Sequence, residues 1–243
     1  MSNRTSRILI ALALLALTVA LAACSVSEVI AIKADGSGTA SMRVETSKLL
    51  REYLLDLQSI TGAAPAPDGQ LFDVKTLQKE LAARPGLTVK KVAAPSPDQL
   101  EIDLAFRSIE EVYGSVESVK KSGLVVYTTS GGQRTLKIHI DRKNFAELSA
   151  VFPAMNGAAL EGIAPQEQDT ITEAEYLDMI SFTLGPEGPA LLKKSFVDVV
   201  VKPEGTIVSQ AGGTVANGAV TFRIPLLRLL LLDKPLDYAV TWK

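Results

Sequence analysis

The 243-residue chain has one cysteine, one histidine and one tryptophan, and only 5% of its residues are aromatic. A single thiol excludes an internal disulfide framework, so the fold must rest on packing. One histidine and one cysteine leave no soft-ligand set for zinc, and no metal or cofactor is expected. The shortage of rings argues against a sugar groove paved with aromatics. Charge is balanced too: 25 Lys and Arg stand against 27 Asp and Glu, a formal net charge of −2. With no basic run to meet a phosphate backbone, nucleic acid is not an expected partner. No G-x-S-x-G elbow, EF-hand spacing or phosphate-cradling Gly-rich loop occurs. What the chain does have is 47% hydrophobic residues, enough to bury a real core in one domain or two small ones.

The N-terminus carries the most specific signal. Arg4 and Arg7 precede an uninterrupted apolar run from Ile8 to Leu17, and Leu21-Ala22-Ala23-Cys24 follows. The apolar stretch to Ala23 is shorter than the roughly 20 residues of a spanning helix, and Ala22 and Ala23 suit a cleavage site. Residues 1–23 and Cys24 resemble the signal peptide and lipobox of bacterial lipoproteins. The alternatives are an ordinary secretory signal with an incidental cysteine, or a short membrane helix. The resemblance implies removal of residues 1–23, diacylglycerol on the Cys24 sulfur and a further acyl chain, such as palmitate, on the new amino terminus. Two or more acyl chains hold a protein stably where one holds it marginally. The expected location is therefore the cell envelope, lipid-anchored on the extracytoplasmic side, with the outer membrane favoured over the inner. The membrane is then the first expected partner, through Cys24.

Strand-like residues start almost directly after Cys24, with Val26, Val29, Ile30 and Ile32 running into the Asp35-Gly36-Ser37-Gly38 turn. No flexible spacer intervenes, so the domain is expected to hold a fixed face towards the bilayer. A second strand, Thr39 to Val44, leads to a helix capped at Thr46 or Ser47 and striped by Leu49, Leu50, Tyr53, Leu54 and Leu57. The strand-strand-helix order recurs twice. Leu87 to Val92 and Leu100 to Phe106 precede a helix carrying Ile109, Val112, Val116 and Val119, with Ser108 and Glu111 as a capping box. Leu124 to Thr128 and Thr135 to Ile140 precede a helix capped by Asp141 that holds Phe145 and Leu148. The expected fold class is α+β: an antiparallel sheet built from strand-strand-helix units with helices packed on one face. Residues 62–69 read as a loop before a helix from Val74 to Ala83. Residues 154–190 read as an insert of loop and helix, the helix around Ala174 to Ile180.

The C-terminal portion reads as all-strand: Phe196 to Val201, Gly205 to Ser209, Ala219 to Ile224 and Leu236 to Trp242, with Asn217-Gly218 as a hairpin turn. Between the last two strands lies Leu226-Leu227-Arg228-Leu229-Leu230-Leu231-Leu232. It is too short to span a bilayer. Two readings stand: a buried strand or helical turn completing the core, or an apolar rim or pocket wall in which Leu226, Leu227, Leu229 and Leu230 contact acyl chains.

Residues 197–224, the early Asp35-Gly36-Ser37-Gly38 hairpin and the final strand ending at Trp242 resemble the LppM-type lipoprotein domain. In that family an apolar strand reaches a proline, a second strand and a polar Gly/Asn turn follow, and a third strand of alternating apolar residues closes the set. The resemblance implies one α+β domain over residues 24–243, an envelope location and binding of a membrane lipid or glycolipid. Some members carry a C-terminal membrane span, whereas here the expected anchor is Cys24 alone.

Catalytic candidates are few. Alternation places Leu136, Ile138 and Ile140 on one strand face and His139 on the other, towards solvent. Glu110 and Glu111 suit the first turn of a helix, and Glu173, Glu175 and Asp178 suit a solvated helical face. No enzyme is expected. The leading expectation is a non-enzymatic lipoprotein that binds or presents an envelope lipid or glycolipid. The alternative is an interaction or scaffold module for an envelope protein partner, and a hydrolase using Glu111, His139 and Asp178 comes third.

Overall fold

The computed structural model describes residues 24–61, 70–114, 116–151 and 171–243. The expected signal peptide, the loop 62–69 and the loop part of the insert, residues 153–170, lie outside the described residues.

Among the described residues the chain is α+β, with two mostly antiparallel sheets. The first hairpin is β1 (Ser25–Ile32) and β2 (Gly38–Glu45). Its turn needs glycine twice, for different reasons. Gly36 takes φ +82°, a left-handed value that other residues adopt only with strain. Gly38 has ordinary φ, but a Cβ there would sit 2.6 Å from the Phe106 ring and closer still to the Ala31 carbonyl oxygen. Helix α1 (Lys48–Thr61) follows, with Ser47 Oγ accepting from the Leu50 amide at 3.2 Å. Helix α2 (Val74–Ala82) is capped by Asp73, whose carboxylate accepts from the Lys75 and Thr76 amides. The second hairpin is β3 (Leu87–Ala93) and β4 (Gln99–Phe106).

The single helix expected after Phe106 is two, α3 (Ile109–Gly114) and α4 (Glu117–Ser122). Gly114 weakens the helix at the break, and Val116 is extended at φ −99°, ψ 99°. Half of the expected capping box forms: the Glu111 amide donates to Ser108 Oγ, but the Glu111 carboxylate accepts from Arg107 instead. The third hairpin, β5 (Val125–Ser130) and β6 (Gln133–Ile140), ends in a cap where Asp141 accepts from the Lys143 and Asn144 amides. A short 3-10 turn over Phe145–Glu147 and α5 (Leu148–Val151) follow.

Helix α6 (Glu173–Leu184) starts at a complete Thr172/Glu175 capping box and packs on α7 (Gly188–Lys194), a second helix beyond the one expected around Ala174 to Ile180. The chain continues through β7 (Phe196–Pro203), β8 (Ile207–Ala211), β9 (Thr214–Ala216), β10 (Ala219–Pro225), α8 (Leu226–Leu231) and β11 (Leu236–Trp242). The C-terminal portion is thus strands interrupted by one short helix.

The strands do not form one sheet. The first two hairpins join β7, β10 and β9 in the order β3-β4-β2-β1-β7-β10-β9, while the third pairs with β11 and β8 as β5-β6-β11-β8. All pairings are antiparallel except β1 with β7, which run parallel from Ser25 opposite Phe196. The chain changes sheets at Gly212-Gly213, between β8 and β9. Both sheets contribute to the main core, which holds Ile30, Val199, Val201, Val220 and Phe222 of the large sheet with Leu136, Leu236, Val240 and Trp242 of the small one. A second cluster, Phe72, Leu77, Leu81, Leu100 and Ile102, holds α2 to the outer strands of the large sheet. The opposite face of the large sheet is polar: Glu101 pairs with Lys91 and Arg43, and Asp198 with Arg223. One packed face and one wet face is the usual economy of an antiparallel sheet.

Candidate functional site

Three rungs of the large sheet lie side by side on its packed face: Glu28–Met42–Ile102, Ile30–Ala40–Leu104 and Ile32–Gly38–Phe106. Residues paired across a sheet share a face, so a carboxyl stands in a row of apolar side chains. The first two rungs and Phe106 of the third floor a pocket walled by Leu81 and Arg84 from α2 and its end, Leu87 of β3, and Ile109, Val112 and Tyr113 of α3. The pocket is open to solvent on one side. The position explains its existence. Ile30, Phe106 and Ile109 belong to the main core, whereas Leu81 and Ile102 belong to the second cluster, and the pocket occupies the seam where the two do not merge.

Glu28 sets the electrostatics. It is 8% exposed, and burial pushes its carboxyl up to about 7. Among the described residues no side chain or backbone group hydrogen-bonds to the Glu28 carboxyl, and no cation pairs with it. Tyr113 is its polar neighbour on the lining; burial first, then the nearby Glu28 charge, hold that phenol above its usual range. Arg84, the other charged lining residue, is half-buried, and burial lowers its pKa against the opposing pull of Glu80. In the sequence this strand is marked by Val26, Val29, Ile30 and Ile32, and Glu28 belongs to no motif. The signal was there: Glu28, Ile30 and Ile32 are alternate residues of one strand, so an inward-facing strand carries an acid at one inward position.

Cys24 is buried at 8% exposure, directly before β1. Its amide donates to Ser195 Oγ at 3.0 Å, and its sulfur accepts from the Ser47 amide at 3.2 Å and approaches Ser47 Oγ at 3.6 Å. Both amide contacts are open to an acylated residue, since an N-acyl amide keeps its N–H and a thioether sulfur keeps its lone pairs.

The leucine run is core. Leu227, Leu229, Leu230, Leu231 and Leu232 are between 2% and 7% exposed and sit in the main cluster, and Leu226 is half-buried against it. None of them lines the pocket. The stretch in which Leu226, Leu227, Leu229 and Leu230 were expected as an apolar rim or pocket wall is not an exposed rim: α8 turns its leucines inward, and Leu232 closes it at φ 41° while Arg142 donates to the Leu231 and Leu232 carbonyls.

His139 lies on the solvent side of β6, its Nδ1 2.7 Å from Asp237 and its Nε2 3.5 Å from Asp141. The hydrogen bond with Asp237, then the charges of both acids, raise its pKa. Its stabilising contribution is complete below the ordinary histidine range and fades as pH rises through the raised value. Glu173 pairs with Lys193, Glu175 serves the helix cap, and Glu110 and Asp178 are exposed. Neither His139 nor any of these acids lines the pocket. Among the described residues no group of three or more His, Cys, Asp or Glu stands close enough to hold a metal, and no helix is long and apolar enough to cross a membrane.

No protein-family model matches the chain, and no curated protein matches it. Among solved structures it is similar to the folded domain of LppM from Mycobacterium tuberculosis, determined by NMR. The identity is 10%, the TM-score is 0.41, and the superposition covers 90% of this chain and 89% of that one.

Proposed function

We propose that the chain is an envelope lipoprotein, anchored through acylated Cys24, whose α+β domain holds the apolar part of a lipid-like amphiphile in the seam pocket. The observation that carries this reading is the pocket itself: mostly apolar, open to solvent, with Tyr113 and the half-buried Arg84 on its walls and one buried carboxyl, Glu28, without a hydrogen-bond or ion-pair partner among the described residues. Pockets of this kind, apolar with a few convergent polar groups and a perturbed pKa, are the usual form of a small-molecule site. The direct start of β1 at Ser25 supports a domain without a tether, close to its membrane. A photoactivatable long-chain alcohol, which carries no carboxylate, should label peptides containing Ala40–Met42 and Leu104–Phe106. Labelling confined to Leu226–Leu232 would overturn the site.

The anchor has its own test. Cys24→Ala should abolish incorporation of labelled palmitate and leave residues 1–23 uncleaved, read by intact mass. Continued labelling, or a mature N-terminus elsewhere, would contradict acylation at Cys24.

A second reading has one specific observation behind it. The exposed valines Val126, Val208 and Val215 lie on β5, β8 and β9, each an edge strand of its sheet. Unpaired edges with apolar side chains are templates for a partner's strand. In-cell crosslinking from position 215 should then trap one specific protein.

A further inference from the structure

We propose that Glu28 recognises the polar head of the pocket's ligand, and that this ligand is an amphiphile carrying a protonated amine. The inference rests on the seam pocket as a lipid site and adds the chemistry of the head group.

The argument runs from what surrounds the carboxyl. On β1 the inward neighbour of Glu28 is Ile30; across the sheet it faces Met42 on β2 and Val199 on β7. From α3 comes the Tyr113 phenol, and from the end of α2 comes Arg84, the one other charged group on the lining. Among the described residues Arg84 makes no ion pair with Glu28; its nearby acid is Glu80. Among those residues, then, the Glu28 carboxyl is an acceptor with no cation paired to it, on a lining that Arg84 shares. A buried carboxylate without a counter-ion is costly, and a ligand that brings an ammonium group removes that cost on binding. A fatty acid does the reverse, setting a second carboxylate against the first. An alcohol lies between the two, donating one hydrogen bond without charge.

Three probes of equal chain length separate these cases: tetradecylamine, tetradecanol and tetradecanoic acid, offered in competition to the full chain in detergent micelles, with retained adducts read by native mass spectrometry. At pH 7.5 the amine should be retained about tenfold over the acid. That preference should shrink as pH falls to 5.5, where Glu28 is protonated and the amine remains charged. Glu28→Gln, isosteric and uncharged, should lose the amine preference while still retaining tetradecanol, which shows its pocket intact. The head-group assignment is overturned if the acid is retained as well as the amine, or if Glu28→Gln keeps the preference. Retention of alcohol and acid without favour for the amine refutes the assignment and leaves the pocket standing. Retention of none of the three refutes both.

Discussion

Glu28→Gln is expected to make the ligand-free chain more stable than the wild type as pH rises, by about 2 to 3 kcal/mol between pH 5 and pH 8. The sign follows from proton counting. The Glu28 carboxyl sits near its ordinary value of 4.5 in the unfolded chain and at about 7 in the folded one. Between those values the folded chain keeps a proton that the unfolded chain has released. Stability therefore falls across that window and levels off above pH 7. Glutamine has no proton to lose, so the difference between variant and wild type isolates this one group from His139, whose raised pKa acts in the same direction. For a chain of this size the effect corresponds to roughly 5–10 °C in melting temperature. Parallel pH profiles for the two proteins would mean that the carboxyl is solvated and that the pocket lacks the buried acid on which its head-group chemistry depends.

Leu230→Ala should cost about 2–5 kcal/mol, the range for emptying a core leucine site. Leu230 is 2% exposed and packs in the main cluster, where both sheets meet. Against a total stability on the order of 5–15 kcal/mol, that loss brings the domain towards its unfolding threshold. Leu230→Asp should prevent folding, because a carboxylate at that site has no partner and no water. Leu226→Ala, at a half-buried position on the same helix, should cost under about 1 kcal/mol. Chemical denaturation of the three variants settles the matter. A Leu230→Asp protein that folds with an unchanged midpoint would return the leucine run to the surface and revive the lipid-contacting rim.

Local chemistry was legible in the sequence. The Asp35–Gly38, Ser130–Gly132 and Asn217-Gly218 turns fall where turn residues demand, with Asn217 at φ 50° and Gly218 at φ 72°. Each expected strand lies within a residue or two of an observed one, and the α+β class follows from their order. The partition into two sheets was not legible. Alternation tells a strand which face is apolar but not which distant strand it joins, and the parallel pairing of β1 with β7 brings together opposite ends of the chain. The strand-strand-helix repetition held as a local pattern and failed as a global one, since the third hairpin left the sheet of the first two.

The candidate site was legible in its least expected part. The leucine run drew attention because it is the most apolar stretch after Cys24, yet strong local hydrophobicity is what a core helix also requires. The site lies instead where apolar character is interrupted. Glu28 stands at an inward position of β1, and the pocket around it exists because the two clusters on one sheet face leave a seam. Its remaining lining comes from β2, β3, β4 and two helices that sequence spacing alone does not bring together.

The most direct measurement is native mass spectrometry of the full chain purified from its own envelope, compared with Ala40→Phe, which places a ring on the pocket floor between Ile30 and Leu104. The account predicts one amphiphile per wild-type chain, resistant to detergent exchange, and its loss from a folded Ala40→Phe variant. Wild-type chain that carries nothing beyond its own covalent acyl groups, or an adduct that Ala40→Phe retains undiminished, would contradict it.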